Sequence, residues 1–262
     1  MEKISIITVN WNVINSLERC IKSITATKYA NLELIIVDNN SEIKPKFVSI
    51  QNSSNIGLPR AWNQGLKQAT GDYILILNPD TRLPKDFFTK ALDFARRTPD
   101  LGVLGPKFTD PDGSPQGSVF PEPSIIAAIR EFWLGQKGLT QKYIPKTENR
   151  KPITVNAISG ACMFLPKSAV AKIGKFTEEV FMYYEDLDYC RRLRHAGLKI
   201  IFHPGITIIH EHGQSSAKSG AAALKYLRAA SLWYNGPLKH YLLWLIVWSS
   251  QKLSKLANHL SL

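Results

Sequence analysis

The hydrophobic positions of the first third of the chain fall in short unbroken runs: ISIITV (4–9), LELIIV (32–37) and YILILN (73–78). Runs this short and this rich in Ile and Val are those of strands buried on both faces, and hence of a parallel sheet. Between them lie amphipathic stretches at 16–27, after Ser16 as an N-cap, and at 58–69, ending before Gly71. Each is long enough for a crossover helix, so the chain opens βαβαβ and reads as α/β. A helix is predicted from about Pro84 to Arg97, with proline in the first turn, then a strand at GVLGPKF (102–108) and a turn-rich TDPDGSPQGS.

The second half is less regular. Residues 136–152, QKGLTQKYIPKTENRKP, are polar and basic without periodicity and read as a mobile surface loop or lid. A strand is expected in TVNAISGACMFLP (154–166), then a helix through EDLDYCRRLRH that stops at Gly197, and two strand-like pieces flanking Pro204. Beyond HEHGQSS the pattern is helical over 221–234 and 238–256, broken at Gly236-Pro237. The apolar run YLLWLIVW (241–248) falls far short of the ~20 residues that span a membrane.

The 262 residues suffice for one large α/β unit with an appendage. Three dispersed cysteines (Cys20, Cys162, Cys190) without a C-x-x-C give neither a disulfide framework nor a zinc site, and point to a reducing compartment. MEKISIITVN lacks the basic start and long apolar stretch of a signal peptide, so a cytoplasmic protein is expected. A formal charge of +12 invites anionic partners. From His212 onward there are six Lys or Arg (Lys218, Lys225, Arg228, Lys239, Lys252, Lys255) and no acid, so much of the excess belongs to the tail.

Parallel sheets bind ligands at the carboxyl ends of their strands. Here those ends are polar: TVNWN, VDNNS and LNPD. Neither G-x-G-x-x-G nor G-x-x-x-x-G-K-[ST] occurs, which removes the usual sequence warrant for a dinucleotide dehydrogenase or a P-loop NTPase. Asp38 can accept the imide N–H of uracil or thymine with Asn39 in support, or simply close an Asx turn. Asn78-Pro79-Asp80 is a turn signal that also presents hard oxygens suited to Mg2+ or Mn2+ on a diphosphate. His210, with His212 beside it, becomes a ligand only with a partner such as Asp80. Glu185, Asp186 and Asp188 are explained electrostatically by a helix start, with Arg191, Arg192 and Arg194 toward the other end. The apolar lead-in VFMYY is not so explained; it places the acids in a cleft, where a partly desolvated carboxylate serves as general base.

In order, SIITVNWN, LELIIVDNNS, NIGLPRAWNQGL, YILILNPDT, SGACMFLPKSAV, EDLDYCRRLRHAGLKI and IIHEHGQSS resemble the family 2 glycosyltransferases, in particular their bacterial rhamnosyltransferase-like branch. The resemblance covers residues 1 to about 215. It implies a GT-A fold: a mostly parallel central sheet flanked by helices, with a nucleotide-sugar-binding half (1–105), an acceptor-binding half (106–215) and, appended, a basic Trp-rich helical tail (216–262). It implies that Val9, Asn12, Asp38 and Asn39 surround base and ribose, that Gly57, Arg60 and Asn63 serve the donor side, and that Gly160 and Ala161 lie beneath the donor sugar. Asp80 and His210 become ligands of Mg2+ or Mn2+, Asp186 the base, Glu185 its neighbour, and Arg192 the basic residue that follows. Asn78 stands where the family commonly has the first Asp of D-x-D, and is left to contact ribose or sugar.

The implied activity is inverting, metal-dependent transfer from a UDP- or dTDP-sugar, dTDP-rhamnose included, to a hydroxyl of a saccharide or polyprenyl-diphosphate-linked acceptor in cell-surface polysaccharide synthesis. Trp233, Tyr241, Trp244 and Trp248 among lysines give the tail the character of an interfacial segment on the anionic inner face of the plasma membrane; packing on the body or a homodimer is the alternative. A sugar nucleotidyltransferase would carry a Gly-rich, Arg-containing loop after the first strand, which VNWNVINS lacks. A nucleic-acid binder has only the net charge in its favour. A catalytically inactive glycan- or membrane-binding relative fits poorly with Asp80, Asp186 and His210 all present.

Overall fold

A computed structural model of the chain describes residues 1–148, 151–211 and 220–260. His212 and Lys218, with the HGQSS end of the last motif, lie outside them.

The three apolar runs form β1 (Ile4–Asn10), β2 (Leu32–Asp38) and β4 (Tyr73–Leu77), with β3 (Ile50–Gln51) at the edge. β1 lies between β2 and β4 and is parallel to both, which buries all seven of its residues. The crossovers are α1 (Ile14–Ala26) and α2 (Leu58–Gln68). Ser16 is not the N-cap of α1: Val13 precedes the helix, and the Ser16 hydroxyl receives a hydrogen bond from Arg19 instead.

The sheet continues β4–β11–β6–β12–β5, through β5 (Thr81–Arg82), β6 (Leu101–Thr109), β11 (Cys162–Pro166) and β12 (Lys199–His210). β11 runs antiparallel to both neighbours, whereas β6 and β12 are parallel to each other. The expected parallel sheet is therefore a mixed one beyond β4. Pro204 does not divide β12; a register shift between His203 and Thr207 absorbs it within one strand. The run 154–166 is broken into β9 (Ile153–Thr154), β10 (Ala157–Ile158) and β11, with β10 paired to β8 (Val119–Phe120) off the main sheet. β7 (Pro115–Gln116) hangs on β6.

Helix α3 (Phe87–Arg96) starts three residues after Pro84, and α4 (Ile125–Phe132), α5 (Lys167–Ile173) and α6 (Glu185–His195) follow, α6 ending at Gly197 with φ +78°. The last helix, α7 (Gly220–Leu260), is kinked where Gly236 takes φ 72° ahead of Pro237. Two apolar cores cover the sheet faces: Trp62, Phe176, Tyr189 and Leu193 on one, Phe87, Phe88, Phe108 and Phe164 on the other. All three cysteines are buried and unbridged. Among the described residues no helix is long and apolar enough to cross a membrane.

Candidate active site

The carboxyl ends of β1 and β4, the first turn of α6 and the first half of α7 enclose a cleft of about 760 Å3. Val9, Asn39, Asn78 and Asp80 reach it from the strand ends, Gly160 and Ala161 from the turn before β11, and Glu185 and Asp186 from α6.

Local turn chemistry and long-range pairing together place Asp80. After β4, Asn78 accepts hydrogen bonds at its carbonyl from the Thr81 hydroxyl (2.7 Å) and amide (3.3 Å), closing a turn around Pro79. The chain then enters β5, which pairs antiparallel with the end of β12 so that Thr81 faces His210. The amide of Glu211 donates to the Asp80 carbonyl at 2.8 Å. The Glu211 carboxylate is gripped by Arg19 and Arg82, which burial and two guanidinium partners make a firm anchor; these hydrogen bonds hold it below its ordinary pKa. Asp80 Oδ1 is consequently 3.5 Å from His210 Nε2.

The tautomer of His210 follows from its other nitrogen. Gln116 donates through Nε2 to Asp110 and to the His210 carbonyl, so its Oε1, 2.6 Å from His210 Nδ1, is the acceptor. Nδ1 therefore carries hydrogen, and Nε2 is the ring nitrogen turned toward Asp80. Asp80 Oδ1 is buried with no hydrogen-bond partner among the described residues. A carboxylate oxygen beside an imidazole nitrogen is a donor set that fits a divalent cation, with positions left for phosphate oxygens. Among the described residues no third His, Cys, Asp or Glu joins the pair.

The acid pair opposite sits on a strained approach. Tyr183 and Tyr184, the residues before α6, both have positive φ (73° and 64°), a costly conformation for aromatic side chains. It is held from outside: Phe181 stacks on Tyr226 at 4.3 Å and Tyr184 packs on Tyr234 at 5.1 Å, both partners on α7. The turn delivers Glu185 and Asp186 into the cleft, both buried. Asp186 accepts from the amides of Gly160 and Leu187, each at 2.9 Å. Burial raises its pKa, while the Gly160 amide and the Lys142 charge oppose that rise. For Glu185, burial, then the charge of Asp186, outweighs a backbone hydrogen bond and lifts it to about 8, and its Oε2 has no hydrogen-bond partner among the described residues. Asp188 faces away, paired with Arg192 at 2.8 Å and Arg191 at 3.5 Å, so the helix-start explanation holds for this acid.

Glycosyl transfer joins these observations to known proteins. The sequence model described as Glycosyl transferase family 2 matches residues 5–174. The chain belongs to this family. It is 26% identical over 268 residues to the N-acetylglucosaminyl-diphospho-decaprenol L-rhamnosyltransferase of Mycobacterium tuberculosis, covering 89% of this chain and 87% of that one. A low-salt glycan biosynthesis hexosyltransferase of Haloferax volcanii is also 26% identical, over 76% of this chain and 64% of its own. Among solved structures, a mannosyltransferase from Pyrobaculum calidifontis in complex with GDP-Man and Mn2+ superposes with TM-score 0.59 at 14% identity, over 94% of this chain and 69% of that one. The fold is thus that of the GT-A glycosyltransferases.

Several residues expected on the donor side of the glycosyltransferase do not line the cleft. Arg60 donates to the Glu178 carbonyl (3.1 and 3.3 Å), and Asn63 bonds both the amide and the carbonyl of Phe176, so these two hold the segment leading into the Tyr183–Tyr184 turn. Arg192 is spent on Asp188 and the Ile173 carbonyl. Asn12 faces the loop after β2, its Oδ1 accepting from Glu42. Asp38 is fully buried; burial would raise its carboxyl, but hydrogen bonds from Ser41, Asn10 and Gln51 prevail and hold it low, closing it from the cleft. Gly57 acts through absence: with φ +89°, a Cβ there would lie 2.6 Å from the Phe181 carbonyl, whose oxygen accepts from Leu58. Sequence reasoning missed Trp11, Asn55, Lys142 and Tyr226, which do line the cleft. Tyr226 and Ala222 lie in the segment read as an appended tail, so the first half of α7 is a wall of the site.

Proposed function

We propose that this glycosyltransferase moves a sugar, with inversion, from a pyrimidine nucleoside diphosphate donor, UDP- or dTDP-linked, to a hydroxyl of a saccharide or polyprenyl-diphosphate-linked acceptor. The observation that carries the reading is the presence, across one cleft, of a buried carboxylate held by two backbone amides (Asp186) and the Asp80–His210 pair. The decaprenol-linked acceptor of the mycobacterial relative, matched over nearly the whole of both chains, supports the lipid-linked acceptor and dTDP-rhamnose among the donors.

In this mechanism Asp186, oriented by the Gly160 and Leu187 amides, takes the proton of the acceptor hydroxyl. That oxygen bonds to the anomeric carbon from the face opposite the diphosphate, and the bond from that carbon to the diphosphate oxygen breaks, its electron pair leaving with the nucleoside diphosphate. General base catalysis of this kind contributes about 10²–10⁴-fold. Glu185, protonated, offers an O–H to a sugar hydroxyl. Asp80 and His210 would hold Mg2+ or Mn2+, which when bound supplies charge neutralisation to the diphosphate. Asn78 and Gly160 line the donor-sugar side, and Val9 and Asn39 the nucleoside side, with Asn12, Asp38 and Gly57 behind them as its support.

The second half of α7 gives the acceptor a surface to come from. Leu238, Tyr241, Leu245 and Trp248 are exposed at helical spacing and continue onto Ile126 and Trp133 of α4, where Trp133 donates to the Ile246 carbonyl. On α7 lysines and no acids accompany them. This combination suits the anionic face of a bilayer better than pairing in a homodimer, because like charges would meet across a two-fold axis. The direct test of the whole reading is product analysis with a panel of UDP-, dTDP- and GDP-sugars, with Mn2+ or Mg2+ and a polyprenyl-diphosphate saccharide. Transfer with retention, or none with any donor, would overturn it.

A further inference from the structure

The segment 136–152, predicted to be a mobile loop, is tied down where it passes the cleft. Tyr143 bridges Val119, its amide donating to the Val119 carbonyl at 2.9 Å while its own carbonyl accepts from Val119. Upstream, the Glu131 carboxylate accepts from the amides of Gly138, Leu139 and Thr140. The loop runs so close to β7's end that a Cβ on Gly117 would lie 2.9 Å from the Lys142 carbonyl oxygen, too near without displacement.

Anchored on both sides, Lys142 carries its ammonium over the rings of Phe108 and Phe120, 5.5 and 5.3 Å from their centroids, and lines the cleft. The charges that act on it are those of Asp186 and Asp80. It forms no ion pair within 4.0 Å and no side-chain hydrogen bond with any described residue, so its donors remain for something else. It is also the one Lys or Arg among the described residues that line the cleft. A dianionic diphosphate entering beside Asp80 and Asp186 needs a cation of the protein, and Arg60, expected on the donor side, and Arg192, the basic residue after the acids, are bonded elsewhere.

We propose that Lys142 binds the diphosphate of the nucleotide donor and neutralises it as it departs, a catalytic role for a residue in the least patterned part of the sequence. The role rests on the glycosyl-transfer reading above. The ammonium pairs with a phosphate oxygen, so the bond that breaks at the anomeric carbon sends its electron pair onto an oxygen already facing a positive charge. No proton is transferred. A lysine serves here as a compact point charge.

Calorimetric titration of the wild type and of Lys142→Met with UDP and dTDP, and with uridine and thymidine as nucleosides lacking phosphate, tests this. Methionine keeps an unbranched side chain and removes the charge. Lys142→Met is expected to weaken nucleoside diphosphate binding about 10- to 100-fold, the worth of a charge-assisted contact, to leave nucleoside binding unchanged, and Lys142→Arg to restore most of the loss. Gly117→Ala, which moves the Lys142 backbone and leaves its charge, should weaken the diphosphate selectively as well. Equal diphosphate affinity of wild type and Lys142→Met overturns the role; if the same variant instead raises KM for a polyprenyl-diphosphate acceptor, the diphosphate recognised is the acceptor's and the donor assignment falls. Failure of the wild type to bind any nucleoside diphosphate would sink the glycosyl-transfer reading itself, and this role with it.

Discussion

Asp80 Oδ1 stands 3.5 Å from His210 Nε2 although the two residues lie in different halves of the sequence. Their meeting is made by the β5–β12 pairing, and the imidazole is aimed by Gln116 behind it. Asp80→Asn is expected to abolish the enhancement of nucleoside diphosphate binding by Mn2+, read by titration with and without the ion. Gln116→Leu removes the support of the ring together with the bonds to Asp110 and the His210 carbonyl, leaves both Asp80 and His210 in place, and should weaken that enhancement about 10- to 100-fold, the usual worth of a partner behind a metal-binding histidine. Unchanged Mn2+ dependence in Asp80→Asn would remove the pair from the metal site.

Asp186 and Asp188, two residues apart on α6 and so on different faces of the helix, separate chemistry from stability. Asp186→Asn can accept from only one of the Gly160 and Leu187 amides, which now donate to separate carboxylate oxygens, and it cannot take a proton, so kcat should fall about 10²–10⁴-fold with nucleotide affinity intact. Asp188→Asn weakens the partly exposed Arg192 pair and should lower stability by about 1 kcal/mol with kcat little altered. Near-normal turnover in Asp186→Asn would sink its assignment as the base.

The contrast between these acids also marks what could be read in the sequence. The unbroken runs of β1, β2 and β4 could be read because burial on both faces leaves no other pattern, and the entry of Glu185 and Asp186 into a cleft because an apolar lead-in to acids has few explanations. The Asp80–His210 contact could not, since an antiparallel two-residue strand with the sequence Thr-Arg has no hydrophobic period of its own. Arg60 and Arg192 entered through the family resemblance, which does not say where a side chain points; backbone carbonyls and Asp188 claim both. Lys142 was hidden for the complementary reason, in a segment whose order comes from Tyr143 and Glu131 contacts rather than from periodicity.

Glycine at 57 is a steric requirement rather than a ligand contact. Gly57→Ala combines a positive φ of 89° with a Cβ 2.6 Å from the Phe181 carbonyl, and should destabilise by about 1–3 kcal/mol. Because that carbonyl belongs to the approach to Tyr183 and Glu185, the loss of kcat should exceed what unfolding accounts for when measured well below Tm. A variant as stable and active as the parent would show that the Phe181 contact does not position the acids.

Glu185 gives stability a pH dependence of definite sign. Its carboxyl titrates at about 8 in the folded protein against an ordinary 4.5, chiefly because burial penalises the charge. The folded state therefore holds a proton that the unfolded chain releases. Its contribution is complete below about pH 4.5 and is lost as pH rises toward 8. Glu185→Gln, neutral throughout, should flatten that slope, and relative to the parent should gain on the order of 2–4 kcal/mol between the two ends in denaturant unfolding. Parallel stability curves for the two proteins would mean that Glu185 is ionised in the fold.

The exposed face of α7 makes a prediction independent of the chemistry. Tyr241, Leu245 and Trp248 are each more than half exposed, and Lys252 lies over the Trp248 ring at 5.7 Å. Apolar area and lysine charge contribute separately to interfacial binding, the charge by about 1 kcal/mol for each lysine near an anionic surface. The full chain should float with vesicles containing phosphatidylglycerol and less with phosphatidylcholine alone. Lys239→Glu with Lys252→Glu should erase that difference, whereas Tyr241→Ser with Trp248→Ser should reduce binding to both. Neither pair touches the cleft, so transfer to a short soluble acceptor should persist while transfer to a polyprenyl-diphosphate acceptor in vesicles declines. Equal flotation by all three proteins would assign this face to another partner and leave the cleft chemistry untouched.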